Sequence, residues 1–123
     1  MESILGSSRK PDVTFYCDGR IDITSRVAKI LQLHEGDVVD IGVHQGEYYL
    51  YVRNRFPNIV GKHEAQCFAS KKNSCNFRAY SKKICSAILQ LAQASKARIP
   101  AGETVELPEV GKAVPLIIRL NLI

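Results

Sequence analysis

The chain contains no apolar run approaching the ~20 residues of a membrane-spanning helix, so no membrane partner is expected. Its opening residues, MESILGSSRKPD, lack the charged start and apolar core of a secretion signal. A cytoplasmic location is the expectation, and Cys17, Cys67, Cys75 and Cys85 are read as reduced thiols. There is no Gly-rich phosphate loop, no paired-carboxylate site and no Cys-x2-Cys knuckle. His63, Cys67, Cys75 and Cys85 are separated by three, seven and nine residues, which is not zinc-site spacing. Nothing in the sequence fixes a Cys–His pair for nucleophilic chemistry. No enzyme, metal or other cofactor is expected.

What is present is the composition of a globular chain: 46% hydrophobic residues and a mean hydropathy of −0.08. The net charge of +5 is unevenly spread. Residues 1–61 carry seven Lys/Arg against eight Asp/Glu, whereas residues 62–123 carry ten against four. Between Lys62 and Lys83 six basic residues face one acid, Glu64. Such an imbalance points to an anionic partner for the second half.

The stretch Gly19 to Tyr51 organises the rest. Arg20 to Ile23 alternates polar and apolar residues, the period of a half-buried strand. Thr24-Ser25 offers hydroxyls at a helix start, and Val27, Ile30 and Leu31 share one face of the short helix that follows. His34-Glu35-Gly36-Asp37 ends that helix, Val38 to Val43 is a β-branched strand, His44-Gln45-Gly46 a turn, and Tyr48 to Val52 a returning strand. Ahead of it lie a loose tail (1–12) and a strand, Val13 to Cys17, that turns at Asp18-Gly19. Asn54 to Lys62, with Pro57 and Gly61, is a connector that Phe56, Ile59 and Val60 should anchor to the core.

The pattern then begins again. Ala65 to Ser70 and Asn76 to Tyr80 read as strands around a Lys71–Ser74 turn, and Ser81 caps a helix bearing Ile84, Ile88 and Leu91 on one face. Gly102 to Leu107 and Leu116 to Leu120 read as the last strands, around a turn over Pro108 to Lys112. VTFYC answers QCFAS, ILQL answers ILQL, GDVVDI answers GETVEL and YYLYV answers LIIRL. The second copy inserts about eight residues, AQASKARI, after its helix. An internal repeat of this kind implies two halves that cover each other's apolar faces. The expected fold is mainly β with two short helices, a pseudo-twofold β-β-α-β-β duplication in one domain: 13–53, a 54–63 connector, and a degenerate 64–123 copy.

Gly19-Arg20-Ile21-x-Ile23, a helix ending Leu31-Gln32-Leu33, Gly36-Asp37-x-Val39-x-Ile41 and Tyr49-Leu50-Tyr51 resemble the swapped-hairpin domain of the AbrB/MazE/SpoVT group. That resemblance implies a β-barrel; a double-psi barrel is the related alternative. In the family two chains interleave and basic residues around the hairpin and helix contact DNA. Transferred here, it implies a transcription-regulator-like DNA-binding protein. The implied phosphate contacts are Arg20 and Lys29 in the first copy. In the second they are Lys71, Lys72, Arg78, Lys82 and Lys83. Thr24 stands where the family has proline, and Asp18 and Asp22 flank Arg20 and would repel phosphate. The other reading is a protein-interaction or scaffold module, antitoxin-like or an adaptor, using an edge formed by Tyr48, Tyr49 and Tyr51. A further copy of the chain is another partner left open.

Overall fold

The computed structural model describes residues 12–71 and 75–118. They form β1 (Val13–Tyr16), β2 (Arg20–Ile23), α1 (Ser25–Leu31), β3 (Val38–His44) and β4 (Glu47–Asn54). There follow β5 (Phe68–Ala69), β6 (Phe77–Tyr80), α2 (Lys82–Ala92), β7 (Lys96–Ile99), β8 (Val105–Leu107) and β9 (Gly111–Leu116). The protein is mainly β, with 42% strand and 17% helix among the described residues.

Two antiparallel sheets result, ordered β5-β6-β2-β1-β7 and β3-β4-β9-β8. In the first, the hairpins β1–β2 and β5–β6 meet where Arg20 pairs with Tyr80 and Ile23 with Phe77. In the second, the hairpins β3–β4 and β8–β9 meet where Tyr48 pairs with Leu116 and Tyr51 with Ala113. Exchanging β1, β2, β3 and β4 for β5, β6, β8 and β9 leaves both junctions unchanged. β7 is the odd strand. It lies in the segment expected as an insertion, and pairs with β1 from Val13–Ile99 to Tyr16–Lys96.

The expected barrel does not close in either of its two forms. Among the described residues, isolated bridges at Val38–Gln66 and Ala101–Leu116 tie the second sheet only to residues flanking β5 and β7. β5 is two residues long, too short to carry a ladder round to the other sheet. The closing strand also differs from its expected place, running Gly111–Leu116 instead of starting at Leu116. Pro115 is accommodated within β9 opposite Tyr49 of β4, because it sits past the end of the β8 ladder, whose last partner is Ala113.

Local chemistry explains the helices. Ser81 Oγ accepts the Ile84 N–H at 3.0 Å and donates to Glu64 at 2.6 Å, a capped start for α2. Both helices end on a glutamine with left-handed backbone, Gln32 (φ 53°) and Gln93 (φ 54°). The shared ILQL string therefore does not mark equivalent positions: Gln32 is a C-cap, whereas Gln90 lies inside α2, which is a turn longer. Gln45 and Gly46, at φ 51° and 79°, close the β3–β4 hairpin with the two left-handed residues such a short turn demands.

The core lies between the sheets and the helices. Val13, Phe15, Ile21 and Ile23 project from one face of the first sheet, meeting Val27, Leu31, Ile88, Leu50 and Val114, all at most 2% exposed. Each such side chain contributes roughly 1.5–3 kcal/mol by leaving water. In the connector, Ile59 packs on the core but Val60 is 91% exposed, and Phe56 is half exposed over Gly36. A β-carbon on Gly36 would lie 2.6 Å from the Phe56 ring, and its φ of 94° also favours glycine.

Two buried carboxylates tie these parts together. Asp37, fully buried, accepts from the His34 and Phe56 N–H groups at 2.9 and 3.0 Å and from Arg55 Nη1 at 2.9 Å. Arg55 also donates to the Leu31 and Gln32 carbonyls at the end of α1. Asp12 holds Arg26 through two bonds of 3.0 and 2.9 Å and accepts the Ala101 N–H at 2.8 Å. Replacing Asp37 by alanine strands Arg55 beside two unfilled backbone donors, and should cost ~3–5 kcal/mol in urea unfolding. The exposed Glu103 at the matching Gly-acid turn should cost under ~0.5 kcal/mol when replaced likewise. Equal losses would show that Asp37 is not the anchor described.

Candidate nucleic-acid interface

The first sheet has one buried and one open face, as strand alternation requires. Ala79, Ile21, Phe15 and Ala97 point inward. Between them, on the outer face, lie Phe68, Arg78, Tyr80, Arg20, Asp22, Thr14, Tyr16, Lys96 and Arg98, all half-buried or exposed. Register arranges these in two rows. Tyr80 pairs with Arg20 and Tyr16 with Lys96, and the Arg20 guanidinium lies 3.8 Å over the Tyr16 ring. The row therefore alternates aromatic and cation: Tyr80, Arg20, Tyr16, Lys96. The neighbouring row runs Phe68, Arg78, Asp22, Thr14, Arg98.

Asp22 is the carboxylate of this face. Arg78 Nε donates to it at 2.8 Å, and Arg20 Nε lies 3.6 Å away. The acid that would have repelled phosphate thus sits between two guanidiniums. Contact with Tyr16, and then the Asp22 charge, push the Arg20 pKa further up; the bond to Asp22 does so for Arg78. Asp18 accepts the Arg20 backbone N–H at 3.0 Å, so its carboxylate is engaged in the turn. Lys96 lies 5.1 Å from the Tyr16 ring centre, and neither it nor Arg98 makes an ion pair among the described residues.

The residues expected from sequence separate into groups. Arg20 and Arg78 come together on this face. Lys82 stands beside its edge, where a β-carbon on Gly19 would be 3.0 Å from Lys82 Cγ. Lys71 is exposed after β5, and Lys72 lies outside the described residues. Lys29 instead lines a cleft of about 700 Å³ with Gln32, Arg55 and Phe77, on the core side of β6. Lys83 lines another, about 340 Å³, with Asp40, Arg53 and Glu64. Lys96, Arg98, Tyr16, Tyr80 and Phe68 were not anticipated. The signal for the first two was the Lys-Ala-Arg-Ile alternation of β7.

Of the tyrosines expected to form an edge, Tyr48 and Tyr51 are half-buried. Tyr49 is 9% exposed and donates to Glu47, and Tyr51 donates to Asp40. No group of three or more His, Cys, Asp or Glu side chains is placed to hold a metal among the described residues. No helix there is long and apolar enough to cross a membrane. No family model, curated protein or solved structure matches this chain.

Burial pushes the Cys67 thiol up to about 12 and the Cys85 thiol up to about 11. Both are therefore held as neutral thiols, whereas Cys17 and Cys75 are exposed. A thiol-specific reagent at pH 8–9 should label Cys17 and Cys75 within minutes and leave Cys67 and Cys85 until urea is added. Mass spectrometry reads the labelled positions, and rapid native labelling of Cys67 would contradict its burial. Because both values are raised, the stability they contribute is kept at neutral pH and lost as pH climbs toward 11–12.

Proposed function

We propose that this chain is a non-enzymatic DNA-binding protein of the transcription-regulator type, formed by two AbrB-like halves within one polypeptide. The halves are residues 13–53 and 64–123, joined by the connector 54–63. The symmetric junctions β2–β6 and β4–β9 support the duplication, as do the Gly-Asp and Gly-Glu turns ahead of β3 and β8.

One observation carries the functional reading. Arg20, Arg78, Lys96 and Arg98 share the outer face of a single sheet with one carboxylate, Asp22. Three of the four belong to the second half, which also supplies Lys71 and Lys82 at the margins. A cationic sheet face of this kind attracts phosphate by releasing its counterions, independently of base sequence. The fold alone would not specify such a role; the charge on this face supports it.

Fluorescence anisotropy with a labelled random duplex across ~50–200 mM salt tests this. Affinity should fall steeply with salt. The double variant Lys96→Ala/Arg98→Ala removes two solvent-facing cations and should flatten the logarithmic salt slope by ~1.8, about 0.9 per lost phosphate contact. Failure to bind either duplex or single-stranded DNA at ~50 mM salt would sink the proposal.

A further inference from the structure

We infer that the outer face of the five-stranded sheet is a platform for an unpaired DNA strand, with bases stacking on its aromatic rings between phosphate-binding cations. The inference rests on the DNA-binding reading above and names the form of the nucleic acid.

The rings carry the argument. Phe68 and Tyr80 are 43% and 48% exposed, and their rings stack at 6.1 Å with 24° between planes. They are large apolar groups left open to water on the face opposite the core. Tyr16 lies two strands from Tyr80 along the same row, ~10 Å at the usual strand spacing. The Arg20 guanidinium is layered on it. A guanidinium plane is itself a surface on which a base can stack. The first row thus offers ring, guanidinium, ring and ammonium in order; the second offers a ring at one end and Arg98 at the other.

Cations alone would suit either form of DNA. In a duplex the base faces are covered by neighbouring bases, which leaves rings on a sheet face no π surface to stack on. An unpaired strand exposes both a charged backbone and π faces, and stacking on aromatic side chains is tolerant of base identity. Four cations against Asp22 leave a surplus of three positive charges for that backbone. The pattern of rings interleaved with cations therefore fits the unpaired strand.

The test compares fluorescein-labelled oligo(dT) of about 20 nucleotides, longer than a typical ~4–16-nucleotide sheet site, with a duplex of the same length. Wild-type protein should favour oligo(dT) by about tenfold or more at equal salt. Phe68→Leu/Tyr80→Leu should lose about fivefold or more for oligo(dT) and leave duplex affinity within about twofold. Bromodeoxyuridine strands cross-linked to the unaltered protein should mark Phe68, Tyr80 or Tyr16, which keeps the test valid if the variant misfolds. Equal or tighter duplex binding, unchanged by the ring substitutions, would overturn the platform while leaving the DNA-binding proposal standing. Cross-links confined to other surfaces would overturn it too. Oligo(U) bound more than tenfold tighter than oligo(dT) would overturn the assignment to DNA. No binding of any strand would remove the DNA reading itself.

Discussion

The carboxylate of Asp37 has no exposed surface and is satisfied by two backbone N–H groups and one guanidinium. A buried charge is tolerated only where its partners replace the water it has lost. Here they come from the turn after α1 and from the residues that follow β4. Arg55, brought in by Asp37, occupies the last carbonyls of α1, which would otherwise want water. The backbone of Asp37 receives the Cys67 N–H as well, at 2.8 Å, so the same residue reaches toward the second half. α1, the β3–β4 hairpin and the approach to β5 thus converge on one residue. Glu103, at the matching Gly-acid turn, is exposed. The second half holds itself by apolar packing and the Ser81–Glu64 cap instead.

From that anchor the sheet geometry follows. The β3–β4 hairpin lays Leu50 against the core while β1 and β2 present Phe15 and Ile21 from the facing layer. With every second residue committed inward, its neighbours must face outward. The cationic face is thus the obligatory reverse of the core, and Arg20 faces outward because Ile21 is buried.

Much of this was legible in short-range signals. Asp18-Gly19, Gln45-Gly46 and Ser81 each determine a backbone geometry within a few residues, and the structure has the turns and cap they predict. The Ile-Leu-Gln-Leu match misleads because an apolar string on a helix reports which face is buried, not where the helix stops. β7 escaped notice because four residues, Lys96 to Ile99, have meaning only once β1 lies beside them, more than eighty positions earlier. The interface was half legible for the same reason. Arg20 and Arg78 stand on strands seen from sequence, and their meeting over Asp22 depends on the β2–β6 pairing. Lys29 and Lys83 are as basic, but the docking of the helices turns them toward other clefts.

β7 has one further consequence. Without it the first sheet would read the same from either end, β5-β6 balanced against β1-β2. With it, one margin carries the Phe68–Tyr80 pair and the other carries Lys96 and Arg98. A surface assembled from two identical chains cannot differ at its two ends, since every substitution appears twice. On one chain each change enters once, so this face can acquire a head and a tail. Any polymer lying across it would be held in a single direction.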